Sequence, residues 1–311
     1  MRLAFVFPGQ GSQSLGMMLG YERLPAVREA FSEASDVLKQ DLWTLMKDGP
    51  ADDLNLTTNT QPLMLAAGVG VVRAWSALGG PQAAVMAGHS LGEYTALVAA
   101  GSVSFADAVS LVRFRAQAMQ EAVPAGTGAM AALLGLDDDA VHSACSEVRT
   151  EQEIVEPANF NSPGQVVIAG NKPAVERAIV AAKSRGAKRA MLLPMSVPSH
   201  CSLMRPAAER FRERLAGVAI SKPLVPVLQN ANLAAAADPA DVKEALVQQL
   251  VRPVRWVETV QKLAADGASH VLELGQGKVL TGLNKRIAPQ VQTLALADAP
   301  ALHAALSSLK S

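Results

Sequence analysis

The chain has 311 residues, half of them apolar, with 28 Lys plus Arg set against 28 Asp plus Glu. This suits one large domain, or a large and a small one, around well-filled cores, and zero net charge provides no overall field to draw in nucleic acid or an anionic membrane. The two cysteines, Cys145 and Cys201, have neither a disulfide-framework nor a metal-ligand spacing, so no bound metal and a reducing, cytoplasmic setting are expected.

From the N-terminus, LAFVF (3–7) reads as a buried strand that runs into the glycine-rich loop GQGSQ (9–13). The break at Pro8-Gly9 leaves the apolar run too short for a signal-peptide core. PLMLAAGVGVV (62–72) stops at Arg73, well short of the roughly 20 residues a membrane span requires, and reads as a buried helix. AAVMA (83–87) is a second strand, ending at Gly88 and followed by the turn GHSLG and a helix from Glu93. Strands that deliver their C-terminal ends to glycine turns and then helices are the grammar of a parallel sheet.

The pattern changes from residue 128. AMAALLGL (129–136) reads as a strand, DDDAVHSACSEV (137–148) as a capped helix, and EIVEPANF (153–160) and QVVIAG (165–170) as strands around the turn NSPG. A helix over 172–186 and a strand over 187–194 complete a β-α-β-β-α-β order, the ferredoxin-like unit. The expected architecture is therefore a parallel α/β domain, 1–126 and 196–311, carrying an inserted ferredoxin-like domain at 127–195. The large domain resumes near Met195 and includes a further strand, HVLELG (270–275); NLAAAADPAD (232–241) is a surface loop leading to a helix begun near Asp238.

Two glycine motifs invite a nucleotide reading and fail it. GQGSQS (9–14) has Ser14 where a dinucleotide fingerprint needs its third glycine, and GQGKV (275–279) lacks the upstream glycine and the Ser or Thr of a phosphate loop. The loop Gly9–Gln13 remains as a flexible segment with exposed amides at the C-terminal edge of the sheet, suited to an oxyanion hole. Ser90, between Gly88 and Gly92 at a strand-to-helix elbow, projects its hydroxyl at a helix N-terminus, which favours a nucleophile over a capping residue. Of the five histidines, His142, His270 and His303 read as surface or capping residues, and His89 leaves the turn in another direction. His200, in PMSVPSHCSLMRP, stands where a helix end keeps an imidazole neutral. No comparable loop offers an Asp to orient it, which points to a backbone carbonyl. In the helix 105–123, Arg115 falls inside the apolar stripe of Ala108, Leu111, Val112, Ala118, Met119 and Ala122. It is either a buried structural arginine paired within the protein or a bidentate clamp for a substrate carboxylate.

FPGQGSQ (7–13), GHSLGEY (88–94), the Arg115 helix, NSPGQVVIAG (161–170), PSHCSLM (198–204), QQL..PVRW (248–256) and GKVLTGL (277–283) together resemble the malonyl-CoA:acyl carrier protein transacylases of bacterial type II fatty acid synthesis, over essentially the whole chain. The resemblance implies a hydrolase-like α/β domain with the ferredoxin-like insertion before the histidine. By motif it implies Ser90 as nucleophile, His200 as base, the amides of Gln10 and Leu91 as oxyanion donors, Arg115 on the malonyl carboxylate and the Gln249 carbonyl as the group orienting His200. It implies malonyl-CoA and acyl carrier protein as partners, with no metal or bound cofactor. Gln276 departs from the proline expected at its place in GQGK. Rival readings are a stand-alone polyketide acyltransferase, a serine thioesterase or hydrolase, and a non-catalytic carrier-protein scaffold. The basic residues Lys183, Arg185, Lys188 and Arg189 are either a docking cluster for an acidic carrier protein or a solvated face.

Overall fold

The computed structural model describes residues 1–195 and 197–310. Its strands are, in chain order, β1 (Leu3–Phe7), β2 (Val85–Gly88), β3 (Gly128–Leu134), β4 (Val155–Ser162), β5 (Gln165–Asn171), β6 (Arg189–Leu192), β7 (Val227–Leu228), β8 (His270–Leu274) and β9 (Gln292–Leu296). One sheet has the order β7-β2-β1-β8-β9 with every neighbouring pair parallel; the other has the order β4-β5-β3-β6 and is antiparallel. The molecule is an α/β protein with a parallel sheet and a separate antiparallel one.

At the centre of the parallel sheet, Leu3, Phe5 and Phe7 enter one apolar layer while Ala4 and Val6 enter the other, as the two-residue repeat of a strand requires. Helices cover both faces, which is why LAFVF is apolar without alternation. The apolar run at 62–72 lies inside the helix Thr57–Ala77, with residues 59–71 all buried; Arg73, where the run stops, is half-buried and pairs with Glu33 at 2.7 Å. No helix among the described residues is long and apolar enough to cross a membrane.

In the antiparallel sheet, Ala131, Leu133, Val166 and Ile168 pack with buried residues of the helices Asp138–Val148 and Lys172–Ser184. Asp137 caps the first of these helices by accepting from the Ala140 amide at 2.8 Å. Met130, Val167 and Ala169, from the sheet's other face, pack with Ala158 and with Cys201, next to His200. The antiparallel sheet is therefore tied to the segment that carries the candidate base. Both cysteines are buried and unpaired. The expected second segment of the large domain begins at Ser196 and ends at Ser311, which both lie outside the described residues.

Several strands differ in extent from those expected. The second strand runs to Gly88 rather than ending at Ala87, and β6 covers only Arg189–Leu192 of the expected 187–194, because it is an edge strand paired to β3 alone. β7 and β9 were not expected. β7 has two residues, too few to show a periodicity. In the basic cluster, Lys183 lies in the last turn of its helix, Arg185 is ion-paired with Glu147, the Lys188 stem packs beside Gly135 and Arg189 is exposed on the β6 edge.

Candidate active site

The C-terminal ends of four parallel strands meet at one place. β1 delivers Gly9 and Gln10, β2 delivers Ser90, β7 delivers Asn230 and β8 delivers Gln276. This is where an open parallel sheet places its ligands.

At the elbow, Ser90 adopts φ +51°, a left-handed conformation that few residues other than glycine enter. Its neighbours must be glycines for a steric reason. A Cβ on Gly92 would sit 2.1 Å from the Phe7 carbonyl oxygen of β1, and one on Gly88 would sit 1.9 Å from the Gly92 carbonyl carbon. The second glycine therefore lets the helix Gly92–Ala99 start directly against the sheet. Asn230 fixes the turn from the side, accepting from the Ser90 amide at 2.7 Å and donating to the Gly88 carbonyl at 2.7 Å.

Ser90 Oγ lies 2.8 Å from His200 Nε2, and His200 Nδ1 lies 2.8 Å from the carbonyl oxygen of Gln249. A carbonyl only accepts, so Nδ1 carries the proton and Nε2 turns its lone pair to the serine. His200 is buried, with φ +62°. Burial first, and then the Arg115 guanidinium, push its pKa down to about 3. The imidazole is thus neutral and able to accept a proton at physiological pH, but the cause is burial and a nearby cation, not the helix end expected from the sequence. His89 instead meets Asn161 Oδ1 at 2.8 Å and packs beside Trp256, and His142 lies against Phe160. His270 bonds to its neighbour Ser269, and His303 lies in the terminal helix.

Arg115 is 2% exposed and its guanidinium points at the serine. Nη1 donates to Gln61 Oε1 at 2.9 Å, and Nη2 donates to Gln249 Oε1 at 3.0 Å and to Ser90 Oγ at 3.3 Å, while Nε has no partner. Among the described residues Arg115 forms no ion pair. Its direct acceptors are neutral amide and hydroxyl oxygens, so a buried positive charge stands beside Ser90 without a contacting anion.

Sequence reasoning did not single out Glu93, Gln61, Asn230 or the Gln249 side chain. Glu93 is fully buried, and burial raises its pKa to about 7. Its Oε2 accepts from the Asn230 amide at 2.9 Å and from Gln249 Nε2 at 2.9 Å. Gln249 is therefore a node, with its backbone carbonyl on His200 and its side chain on Arg115. A charged residue directly after G-x-S-x-G was the available signal for Glu93. Asn230 could be found only by reading the apolar run ending in Gln229-Asn230 as another strand end.

The amides of Leu91 and Gln10 have no acceptor among the described residues. A Cβ on Gly9 would lie 2.5 Å from the His89 carbonyl oxygen, so the Gly9–Gln13 loop abuts the elbow. The loop was expected to be flexible, but it is tied down. Gln10 Oε1 accepts from Thr57 Oγ1 at 3.0 Å, and Gln13 bridges the Gly11 amide (2.7 Å) to Asn55 (2.9 Å). A neutral base on a serine, amides without acceptors beside it and a buried guanidinium together suit acyl transfer to and from Ser90. No cluster of three or more metal-ligating side chains occurs among the described residues. Two open hollows, lined within 231–252 and 28–43, touch neither Ser90 nor His200.

The family model for the acyl transferase domain matches residues 4–295. The malonyl CoA-acyl carrier protein transacylase of Salmonella typhimurium is 54% identical over 307 residues, covering 98% of this chain and 99% of that protein. That of Bacillus subtilis is 45% identical over 310 residues, covering 99% and 98%. Among solved structures, an acyl-carrier-protein S-malonyltransferase of Burkholderia pseudomallei superimposes with a TM-score of 0.97 at 55% identity, covering 99% of this chain and 100% of that one. A malonyl-transacylase in complex with its type II polyketide acyl-carrier protein does so with a TM-score of 0.97 at 50% identity, with the same coverage.

Proposed function

The chain belongs to the acyl transferase family, among its malonyl CoA-acyl carrier protein transacylases, and on that premise we propose that it moves the malonyl group from malonyl-CoA to the phosphopantetheine thiol of acyl carrier protein through Ser90. The observation that carries the residue roles is the line from Gln249 carbonyl to His200 to Ser90, two contacts of 2.8 Å each, with Arg115 Nη2 at 3.3 Å from the same hydroxyl. In the first half-reaction Ser90 Oγ attacks the thioester carbon as its proton passes to His200 Nε2, and the Leu91 and Gln10 amides receive the oxyanion. Collapse expels the coenzyme A sulfur, which takes the proton from His200 and leaves malonyl-Ser90. In the second, the carrier thiol gives its proton to His200 and attacks the ester, and Ser90 leaves with that proton. The Arg115 guanidinium binds the free malonyl carboxylate, a fork matched to two oxygens. No step draws on a metal or bound cofactor.

The insertion at 127–195 is read as a ferredoxin-like domain within a hydrolase-like one. The sheet order β6-β3-β5-β4 and the two helices that share its apolar layer support this. Two unpaired cysteines support a cytoplasmic setting.

The function is tested by supplying malonyl-CoA with a carrier protein that has, or lacks, its phosphopantetheine arm. The expected result is malonyl on the armed carrier only, with release of free malonate far slower. Hydrolysis as fast as transfer means a hydrolase; no transfer to the armed carrier means a scaffold.

A further inference from the structure

Gln276 is 2% exposed, at the C-terminal end of β8, and its buried amide does not bond to its own loop. Nε2 donates to Ser12 Oγ at 3.1 Å and lies against Met64 Sδ; Oε1 has no partner. Ser12 Oγ in turn donates to the Gly9 carbonyl at 3.2 Å. That carbonyl belongs to the same planar peptide unit as the Gln10 N–H. Whatever fixes Gly9 C=O therefore fixes the direction of the Gln10 N–H. A bond accepted at the carbonyl also polarises the amide, making its N–H a stronger donor. The neighbouring contacts serve the same end. A Cβ on Gly275 would come within 3.1 Å of the Pro8 ring, and one on Gly277 within 3.9 Å of Ser12 Cβ, so this loop lies close beside the Gly9–Gln13 loop.

We propose that Gln276 and Ser12 are positioning residues that aim and strengthen the Gln10 amide for the oxyanion through the chain Gln276 Nε2, Ser12 Oγ, Gly9 C=O. The inference rests on the reading of Gln10 as an oxyanion donor. The proline expected at 276 from the resemblance could not donate this bond.

The test is single-turnover acylation of Ser90 by malonyl-CoA in the full-length protein, comparing Gln276→Leu, Ser12→Ala, the double variant and Ser12→Thr. Each of the first two should slow acylation by about tenfold, short of the roughly 10²–10³-fold cost of losing a whole oxyanion donor. The half-saturating malonyl-CoA concentration should stay unchanged, because the bond acts on the transition state. The double variant should be no slower than either single one, since both break one chain, and Ser12→Thr, which keeps the hydroxyl, should recover most of the rate. Unchanged rates, additive losses or a rise in the half-saturating concentration alone would overturn the proposal. If Gln276→Leu fails to fold, the half-exposed Ser12 carries the test by itself, through the rate loss in Ser12→Ala and its recovery in Ser12→Thr. Malonyl on a residue other than Ser90 would instead sink the underlying reading, so the two failures are told apart by mapping the adduct.

Discussion

Replacing His200 with alanine slows the acylation of Ser90 by about a hundredfold to ten-thousandfold, the range for loss of a positioned general base. Without the imidazole the hydroxyl keeps its proton, because the other group on Ser90 Oγ is the Arg115 guanidinium, which only donates. The measurement is the burst of coenzyme A release in a rapid-mixing experiment, with circular dichroism to show that the fold survives. His142→Ala and His270→Ala leave the burst intact, since those imidazoles contact Phe160 and Ser269 instead. A burst lost equally in either of these would mean that the base has been misassigned.

The second large effect is on substrate choice. Arg115→Ala cuts malonyl transfer by about a hundredfold or more, as expected when one partner of a buried ion pair is removed at roughly 3 kcal/mol or above. Acetyl transfer should be unchanged or faster, because acetyl cannot satisfy the guanidinium and leaves its charge desolvated. The malonyl-to-acetyl preference therefore narrows or inverts. Arg115→Lys restores the charge but not the planar fork, and recovers only part of the malonyl rate. The competing account makes Arg115 a structural arginine held by Gln61 and Gln249. It predicts that both activities fall by the same factor, or that the protein unfolds.

The elements legible in the sequence were those whose pattern is long or whose turn chemistry is strict. β1, the capped helix from Asp138 and the helix from Pro239 behind Asp238 all lie where residue types dictated. The antiparallel sheet was legible because its strands are separated by a turn signal and by helices with clear ends. β7 was not, because two residues are too few to show a periodicity.

Around Ser90 the same division holds. The serine and its glycines are a local motif, and their steric reason lies within a few residues. Glu93, Gln61 and Asn230 matter through contacts that span 54 to 156 positions of sequence. No periodicity encodes such contacts; they exist only once the helices that carry Gln61, Glu93, Arg115 and Gln249, and the strand end that carries Asn230, have been brought together. The sequence also suggested the wrong cause for a neutral His200. A helix end is visible in the order of residues, whereas burial beside Arg115 is a property of the assembled site.

The central claim is that the acyl group passes through Ser90. Its most direct test is the intact mass of the protein after brief incubation with malonyl-CoA and no acceptor, followed by peptide mapping. A single malonyl adduct on Ser90 is predicted, absent in Ser90→Ala and discharged when a carrier protein bearing its thiol arm is added. An adduct on another residue, or undiminished transfer by Ser90→Ala, would contradict it.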